Sequence, residues 1–211
     1  MKLGVIGMGY VGLPLAISIS KHWETIGYDT NEERIKQLKT NSDNNNEIAP
    51  NKFNKKISFT NTISDIQNCT VYIICVPTPV LKNNKPDLKY LKNALVNISK
   101  VIKKNDLIII ESTVYPGVSE DITSKVLNRR KKFKLNKDYF LGYSPERINP
   151  GDKKNTINNI TKIVSISSIK KKNLICKIYN KICKKIYFME NIMEAEAAKV
   201  IENVQRDLNI A

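Results

Sequence analysis

The chain has 211 residues, which is enough for one large domain or for one domain and part of a second. Its hydrophobic fraction of 41% and charged fraction of 26% are typical of a folded globular protein and argue against wholesale disorder. No apolar run approaches the roughly 20 residues that cross a bilayer, and no signal-peptide pattern opens the chain, so we expect a cytoplasmic protein with no membrane partner.

The formal net charge of +15 is a reason to consider nucleic-acid binding, because basic domains bind phosphate backbones through counterion release. Here the excess is almost all lysine, spread along the chain, and arginine occurs only at Arg34, Arg129, Arg130, Arg147 and Arg206. The densest basic runs, 129–134 and 170–172, contain few of the aromatic residues that stack on bases. We therefore expect no specific nucleic-acid partner and only weak, salt-sensitive binding.

The cysteines, at positions 69, 75, 176 and 183, form no C-x-x-C pair, and the single histidine, His22, lies at no metal-ligand spacing from them. We therefore expect no metal site. In a cytoplasmic chain we expect reduced thiols, with Cys75 inside a buried strand and the last two cysteines on one helix face. None has the surroundings that activate a thiolate nucleophile.

The first twelve residues contain the most informative motif of the chain. Residues 2–6 are a short apolar run that predicts a buried strand, and Gly7, Gly9 and Gly12 follow in G-x-G-x-x-G spacing before a predicted helix over 11–21. In this motif the glycines permit a tight turn, a close approach of backbone to a pyrophosphate, and close packing of helix on strand. The pattern therefore predicts a dinucleotide site at the helix N-terminus.

An acidic residue stands where a dinucleotide site needs one. A second predicted strand, over 25–28, ends in Asp29, close to the position at which a carboxylate meets a ribose 2′-hydroxyl. A carboxylate there favours NAD over NADP, because it would repel the additional phosphate of NADP. The alternative interpretation is a glycine-rich turn between strand and helix that holds no ligand.

The rest of the sequence alternates between strands and helices. The further predicted strands are 56–60, 71–76, 107–110, 139–143, 162–166 and 185–189. The predicted helices are one that Asn31 caps and that runs through Leu38, one over 88–102 with Asp87 as its cap, 118–127, 168–182, and one that opens at Met193. This order predicts an α/β fold with a doubly wound, Rossmann-like, mostly parallel sheet and helices on both faces. The last helix is still in register at Ala211, so we expect a protein that once continued.

Polar groups follow several of the predicted strands. Thr113 comes after strand 107–110, Glu146 and Arg147 come after strand 139–143, and Lys199 and Asn203 share one face of the last helix. Spacing alone leaves ordinary roles open, since Thr113 also suits a helix cap and Lys199 a solvated lysine. The loop 77–79, Pro-Thr-Pro, lies at the carboxyl end of a central strand, where ligands bind in open α/β sheets. The proline pattern alone favours a rigid strand exit without a ligand.

Five ordered blocks together resemble the UDP-sugar 6-dehydrogenase family, which also includes GDP-mannose dehydrogenases. The blocks are GVIGMGYVGLPLA at 4–16, CVPTP at 75–79, ESTVYPG at 111–117, GYSPERINPGD at 142–152 and EAEAAKVIEN at 194–203. They lie in family order and cover essentially the whole chain. The SPERINPGD form is similar to the branch that acts on UDP-N-acetylhexosamines, particularly the UDP-N-acetylglucosamine type of surface-polysaccharide pathways.

This resemblance implies an NAD-dependent, two-step oxidation of the C6 hydroxyl of a UDP-N-acetylhexosamine, UDP-GlcNAc or UDP-ManNAc, to the carboxylate. By carry-over, the residues that hold NAD would be Gly7, Gly9, Tyr10, Val11, Gly12, Asp29, Arg34, Val76, Pro77, Thr78 and Thr113. The catalytic residues would be Thr113 and Glu146, which position water or a proton acceptor near C6, and Lys199 and Asn203, which hold oxygen there. Glu146, Arg147, Lys199 and Asn203 would contact the substrate.

The resemblance also implies a domain organisation. Residues 1–190 would form the NAD-binding domain, and 191–211 would begin the central helical domain through which the full-length family members form homodimers. An apolar face of this last helix, with Ala198, Val200, Ile201 and Val204 as candidates, would then self-associate.

Two departures from the family pattern bear on activity. A second acid, which the UDP-glucose branch carries four positions after Glu146, is replaced here by Pro150. The family's nucleophilic cysteine and its UDP-binding domain lie beyond residue 211, and none of the four cysteines aligns with that nucleophile. We therefore expect that this chain alone does not complete the oxidation. The alternative is a non-catalytic NAD-binding fragment, or a degenerate copy that acts as a nucleotide-binding or interaction protein.

Overall fold

The computed structural model describes residues 1–146 and 157–210, in which eight strands and six α-helices alternate. The strands are β1 Lys2–Ile6, β2 Glu24–Tyr28, β3 Ile57–Thr60, β4 Val71–Ile74, β5 Leu107–Ile110, β6 Phe140–Tyr143, β7 Thr161–Ile166 and β8 Lys185–Met189. The helices are α1 Gly12–Ser20, α2 Glu32–Lys39, α3 Lys89–Val101, α4 Val118–Lys131, α5 Lys172–Ile182 and α6 Ile192–Ile210.

All eight strands form one sheet, in the order β3-β2-β1-β4-β5-β6-β7-β8. Neighbouring strands from β3 to β6 are parallel, β7 is antiparallel to β6, and β8 is parallel to β7. Because β1 pairs with β2 on one side and with β4 on the other, the direction of winding reverses at β1. In open α/β sheets a ligand crevice forms outside the carboxyl ends of the strands at this switch point.

Helices cover both faces of the sheet, which confirms the predicted doubly wound architecture. One hydrophobic core contains residues of α1, α2 and α5, and the other contains residues of α3, α4 and α6. Strand β5, Leu-Ile-Ile-Ile, contributes to both cores. Leu107 and Ile109 belong to the first core, whereas Ile108 and Ile110 belong to the second. A strand buried on both faces needs apolar residues at every position.

Of the two predicted helix N-caps, one is confirmed and the other lies one residue away from the observed N-cap. Asn31 is the N-cap of α2, and its side chain accepts a hydrogen bond from Arg34 N at 3.1 Å, as predicted. Asp87 does not occupy the N-cap of the next helix, because α3 begins one residue later than predicted, with Leu88 at its N-cap. Asp87 still supports that helix, since its carboxylate accepts the Lys89 N–H at 2.9 Å.

Three further boundaries differ from prediction. The segment 168–182 is divided into a 3₁₀ turn, Ile169–Lys171, and α5. Helix α4 continues to Lys131 and ends where Lys132 adopts the left-handed conformation, with φ of 57°. Cys75 lies just beyond β4 and not inside it, although it is buried and its N–H donates to Ile6 O at 2.8 Å. Within the described ranges, no helix combines the length and the apolar character needed to span a membrane.

Candidate functional site

The glycine turn lies between β1 and α1, at the switch point of the sheet. Gly7 has φ of +94°, and a Cβ added there would stand 2.9 Å from Cys75 O. A Cβ added to Gly12 would stand 1.8 Å from Gly7 O, so α1 packs directly on the turn. An added Cβ at Gly9 would meet no atom within 4 Å. The first and third glycines are thus required by the protein itself, whereas the second leaves its backbone open to a ligand.

The N-terminus of α1 adjoins this opening. The Leu13 N–H donates to Gly9 O at 3.2 Å and Pro14 has no N–H, so the donors that a ligand could use are the N–H groups of Val11 and Gly12. The N-cap of α1, Val11, makes no side-chain capping bond, and no acidic residue occupies the first turn. Backbone N–H groups of the first turn have no acceptor within their own helix, and the helix dipole favours an anion beside them. Tyr10 is half exposed and Val11 is half-buried at the same turn. This arrangement suits the pyrophosphate of a dinucleotide.

Asp29 is joined directly to the glycine turn. Its Oδ2 accepts the Met8 N–H at 2.7 Å, and its Oδ1 accepts the Asn31 N–H at 2.9 Å. These bonds hold the half-buried carboxylate at the carboxyl end of β2, beside the opening at Gly9. A carboxylate in this place suits the hydroxyls of an adenosine ribose.

Arg34 also contacts the glycine turn, from the first turns of α2. Its Nε donates to Met8 O at 2.9 Å, and its Nη1 donates to Gln37 Oε1 at 2.6 Å. Its Nη2 lies 2.8 Å from Oδ1 of Asp43, whose side chain is fully buried. Asp43 was not predicted from the sequence, because it stands in an Asn-rich loop without periodicity.

The loops that follow β4 and β5 are bonded to each other. Thr78 Oγ1 donates to Thr113 O at 2.7 Å, and Ser112 Oγ donates to Val76 O at 2.6 Å. The Val76 side chain also lies 3.3 Å from the position of a Cβ on Gly7, so this loop borders the glycine turn. The structure therefore brings Val76, Thr78 and Thr113 together with the turn, and the exposed Pro77 lies between the first two.

The segment that carries Glu146 is joined to β7 by two hydrogen bonds. Ser144 Oγ donates to Ile163 O at 2.8 Å, and Lys162 Nζ donates to Pro145 O at 3.2 Å. Glu146 itself is half-buried. The predictions for Arg147 and for Pro150 lie outside the described residues.

A buried charged network that was not predicted from the sequence underlies this segment. Lys162 Nζ donates to Glu111 Oε2 at 2.5 Å, and the Tyr179 hydroxyl donates to the other Glu111 oxygen. Burial raises the pKa of Glu111 to about 7, while the Lys162 ammonium acts in the opposite direction. Despite its burial, Lys162 has a raised pKa because Glu111 and Glu146 favour its charged form. The available signal was a lysine inside a predicted strand of mainly apolar residues.

Helix α6 is attached to the rest of the fold through Glu196. This fully buried carboxylate accepts the Gly117 N–H at 2.5 Å and the Ser119 N–H at 2.9 Å, so it caps the N-terminus of α4. The predicted catalytic residues lie farther along the same helix. Lys199 is buried and its Nζ lies 3.3 Å from Glu202 Oε2, and the half-buried Asn203 accepts a bond from Arg206. Glu196 thus joins the helix of Lys199 to the chain that follows Thr113.

The four cysteines are unbonded, and their surroundings oppose ionisation. Burial raises the pKa of Cys69 and of Cys183 to about 12 and raises the pKa of Cys75 well above its ordinary value. A protonated thiol is a poor nucleophile, which agrees with the prediction that none of them is activated. Over the described residues, no cluster of three or more His, Cys, Asp or Glu side chains is arranged to hold a metal ion.

Comparison with known proteins agrees with this geometry. Residues 1–183 match the UDP-glucose/GDP-mannose dehydrogenase family, NAD binding domain. Protein CapL of Staphylococcus aureus is 44% identical over 212 residues, and the UDP-N-acetyl-D-glucosamine 6-dehydrogenase of Pseudomonas aeruginosa is 44% identical over 214 residues. These alignments cover 100% of this chain but 50% and 51% of the two relatives, so the chain spans about half the length of the curated relatives it matches.

A solved structure shows the same fold. The UDP-D-ManNAc dehydrogenase from Pyrococcus horikoshii superposes with a TM-score of 0.88 at 31% sequence identity, covering 100% of this chain and 51% of that one. The resemblance inferred from the five sequence blocks is therefore confirmed. With its glycine turn, its strand-end Asp29 and its match over residues 1–183, the chain belongs to the UDP-glucose/GDP-mannose dehydrogenase family and carries that family's NAD-binding domain.

Proposed function

We propose that this chain is the cofactor-binding half of an NAD-dependent UDP-N-acetylhexosamine 6-dehydrogenase. The protein would oxidise the C6 hydroxyl of UDP-GlcNAc or UDP-ManNAc to the uronic acid, for surface-polysaccharide synthesis in the cytoplasm. The observation that carries the proposal is the glycine turn, which is open at Gly9 and bonded to the Asp29 carboxylate through Met8. The substrate branch is supported by the names of the Pseudomonas and Pyrococcus relatives.

The cofactor would lie along the carboxyl edge of the sheet. Asp29 would bind the adenosine ribose, the turn and the N-terminus of α1 would bind the pyrophosphate, and the bonded loops of Thr78 and Thr113 would border the nicotinamide. Bound NAD would supply the hydride acceptor. Residues 1–190 would form the cofactor domain, with 191–211 as the start of a helical domain.

The chain's own side chains would act on the sugar. We assign Thr113 and Glu146 to hold the water or proton acceptor near C6, with Arg147 on the substrate side. Lys199 and Asn203 would stabilise negative charge on oxygen near C6. Support for the pair is that both lie on α6, a helix that the Glu196 cap binds to the chain following Thr113.

Homodimerisation through α6 is part of the proposal. Along α6 a row of large apolar side chains is exposed: Val200, Ile201, Val204 and Leu208. Exposed apolar rows of this kind mark association surfaces. Light scattering across a concentration series should show a dimer, and a monomer at high concentration would contradict this part of the proposal.

Cofactor binding and turnover test the proposal separately. Titration with NADH, followed by nicotinamide fluorescence, should show saturable binding to the 211-residue chain. No binding at millimolar NADH would contradict the assignment of the glycine turn. Any turnover by the 211-residue chain is measured as NADH production with NAD and, in separate assays, UDP-GlcNAc, UDP-ManNAc and UDP-glucose. A preference for UDP-glucose would contradict the substrate branch.

A second candidate function is NAD binding without catalysis. It is favoured by the burial of Cys69, Cys75 and Cys183, because the thiohemiacetal and thioester route of this family needs a thiolate, and these thiols have raised pKa values. Sustained NADH production by the 211-residue chain would exclude this candidate.

A further inference from the structure

Arg34 and Asp29 both bond to the backbone of Met8 in the glycine turn. The Met8 N–H donates to Asp29 at 2.7 Å, and the Met8 carbonyl accepts from Arg34 Nε at 2.9 Å. The guanidinium and the carboxylate assigned to the ribose are therefore held by the same residue of the turn. The site contains both an acid, which suits NAD, and an arginine, which suits NADP.

The two residue types have opposite consequences for a dinucleotide. NADP differs from NAD by a phosphate on the 2′-oxygen of the adenosine ribose, and in dinucleotide-binding folds a nearby arginine accommodates that phosphate. A guanidinium is well suited to this task because its planar fork bonds phosphate oxygens in pairs. The choice of cofactor thus depends on whether Arg34 is available.

Asp43 occupies the Nη2 side of the Arg34 guanidinium. Its side chain is fully buried, and its Oδ1 lies 2.8 Å from Arg34 Nη2, whose side chain is only 11% exposed. The Asp43 carboxylate is itself held in place by the loop, since its Oδ2 accepts the Glu47 and Ile48 N–H groups at 2.9 Å each. With Nη1 bonded to Gln37 at 2.6 Å, all three guanidinium nitrogens have a protein neighbour.

The hold on Nη2 is electrostatic. Nη2 and the Asp43 oxygen are 2.8 Å apart, but no N–H of Nη2 is aligned for a hydrogen bond. The attraction between the two opposite charges is therefore what restrains Nη2. Beside the proposed ribose position, Arg34 carries one positive charge, and Asp29 and Asp43 carry two negative charges. A phosphate dianion would meet a net negative charge there, whereas a hydroxyl would meet a good acceptor in Asp29.

We propose that Asp43 is a specificity-determining residue for the dinucleotide, which acts by holding Arg34 away from a 2′-phosphate. The inference rests on the proposed binding of NAD at the glycine turn. It assigns to Asp43 a positioning role, since the residue acts through Arg34. A purely structural role, in which Asp43 only orders the loop around Glu47 and Ile48, would alter affinity for both dinucleotides equally.

The test uses the 211-residue chain and compares the dissociation constants of NADH and NADPH by fluorescence and calorimetry. Asp43→Asn removes the charge but keeps one acceptor oxygen for the loop, and Asp43→Ser is the second choice if circular dichroism shows that the first does not fold. Glu32→Gln is the matched control, because it removes a carboxylate from the same region, one that pairs with Lys36 at 2.8 Å and not with Arg34.

We expect Asp43→Asn to raise the affinity for NADPH relative to NADH about tenfold, the value of one charge-assisted hydrogen bond gained by Arg34. Adding Arg34→Gln should abolish that gain, because the double variant has neither the charge nor the fork. The control should leave the affinity ratio within about twofold of wild type, since exposed charges interact weakly.

Three outcomes have distinct meanings. If Asp43→Asn shifts both affinities by the same factor, or if the gain persists without Arg34, the inference is overturned. If the wild-type chain binds NADH and none of the variants alters the ratio, the inference fails while the proposed function stands. If the wild-type chain binds no NADH, the proposed function itself fails.

Discussion

Asp29 and Met8, which are 21 residues apart in the chain, are joined by a hydrogen bond of 2.7 Å between the carboxylate and the backbone N–H. This bond connects the end of β2 to the glycine turn at the end of β1, so the two halves of the nucleotide site are one hydrogen-bonded unit. In the proposed function Asp29 would therefore have two tasks, to order the turn and to bind the ribose.

Asp29→Ala should therefore weaken NADH binding strongly. Loss of hydrogen bonds to a charged acceptor costs about 1.5–3 kcal/mol, which corresponds to a rise of roughly 10- to 100-fold in the dissociation constant. Calorimetric titration measures the dissociation constant. Asp121→Ala is the control, because Asp121 is an exposed residue of α4 that pairs with Lys125. Equal NADH affinity in wild type and Asp29→Ala would contradict the role given to Asp29.

Gly12 and Gly9 should respond differently to replacement by alanine. Gly12→Ala places a Cβ 1.8 Å from Gly7 O, a backbone atom that cannot move aside, so we expect a loss of at least about 1–3 kcal/mol in the free energy of unfolding. Gly9→Ala meets no atom within 4 Å and should leave that free energy little changed while weakening NADH binding. Urea denaturation and NADH titration of both variants separate the effects. Tight NADH binding by Gly9→Ala would show that no ligand approaches there.

Lys162→Met should leave Glu111 as a buried acid without its counter-charge. Removing one partner of a buried pair costs about 3–5 kcal/mol. The loss should depend on pH. Burial already raises the pKa of Glu111 to about 7, above the ordinary value of 4.5, and removal of the ammonium raises it further. The folded variant then binds a proton that the unfolded chain releases, so its free energy of unfolding falls as pH rises from 4.5 through the folded pKa.

Urea denaturation at pH 5.5 and pH 7.5 checks this expectation. The difference between wild type and Lys162→Met should be smaller at the lower pH. Lys125→Met, at an exposed residue paired with Asp121, is the control and should show little change at either pH. An equal loss at both pH values would contradict the assignment of Glu111 as the titrating group.

Glu196→Ala should loosen α6. The variant leaves the Gly117 and Ser119 N–H groups without their buried acceptor and removes a carboxylate from the N-terminus of α4, for which we expect a loss of about 1–3 kcal/mol. Hydrogen exchange should show weaker protection in α6 and in the first turn of α4. Glu194→Ala, an exposed position two residues earlier, is the control. Unchanged protection of α6 in Glu196→Ala would contradict the anchoring role.

Much of the fold could be predicted because it is encoded locally. The apolar runs of the strands, the helical periods, the glycine turn, the Asp29 strand end and the Asn31 cap depend on residues close together in sequence. Local patterns also have limits: Asp87 was one position away from the N-cap, because adjacent residues supply similar capping groups.

The buried charged contacts beside the site were decided by tertiary structure alone. Lys162 meets Glu111 across 51 residues, and Glu196 meets Gly117 across 79 residues. Strand order and register bring these side chains together, and no local period records which charged residue on one strand will face which residue on another element. The sequence by itself determined the fold class and the dinucleotide turn, whereas packing decided which buried charges are paired, because a buried charge is tolerated only where the folded chain supplies its partner.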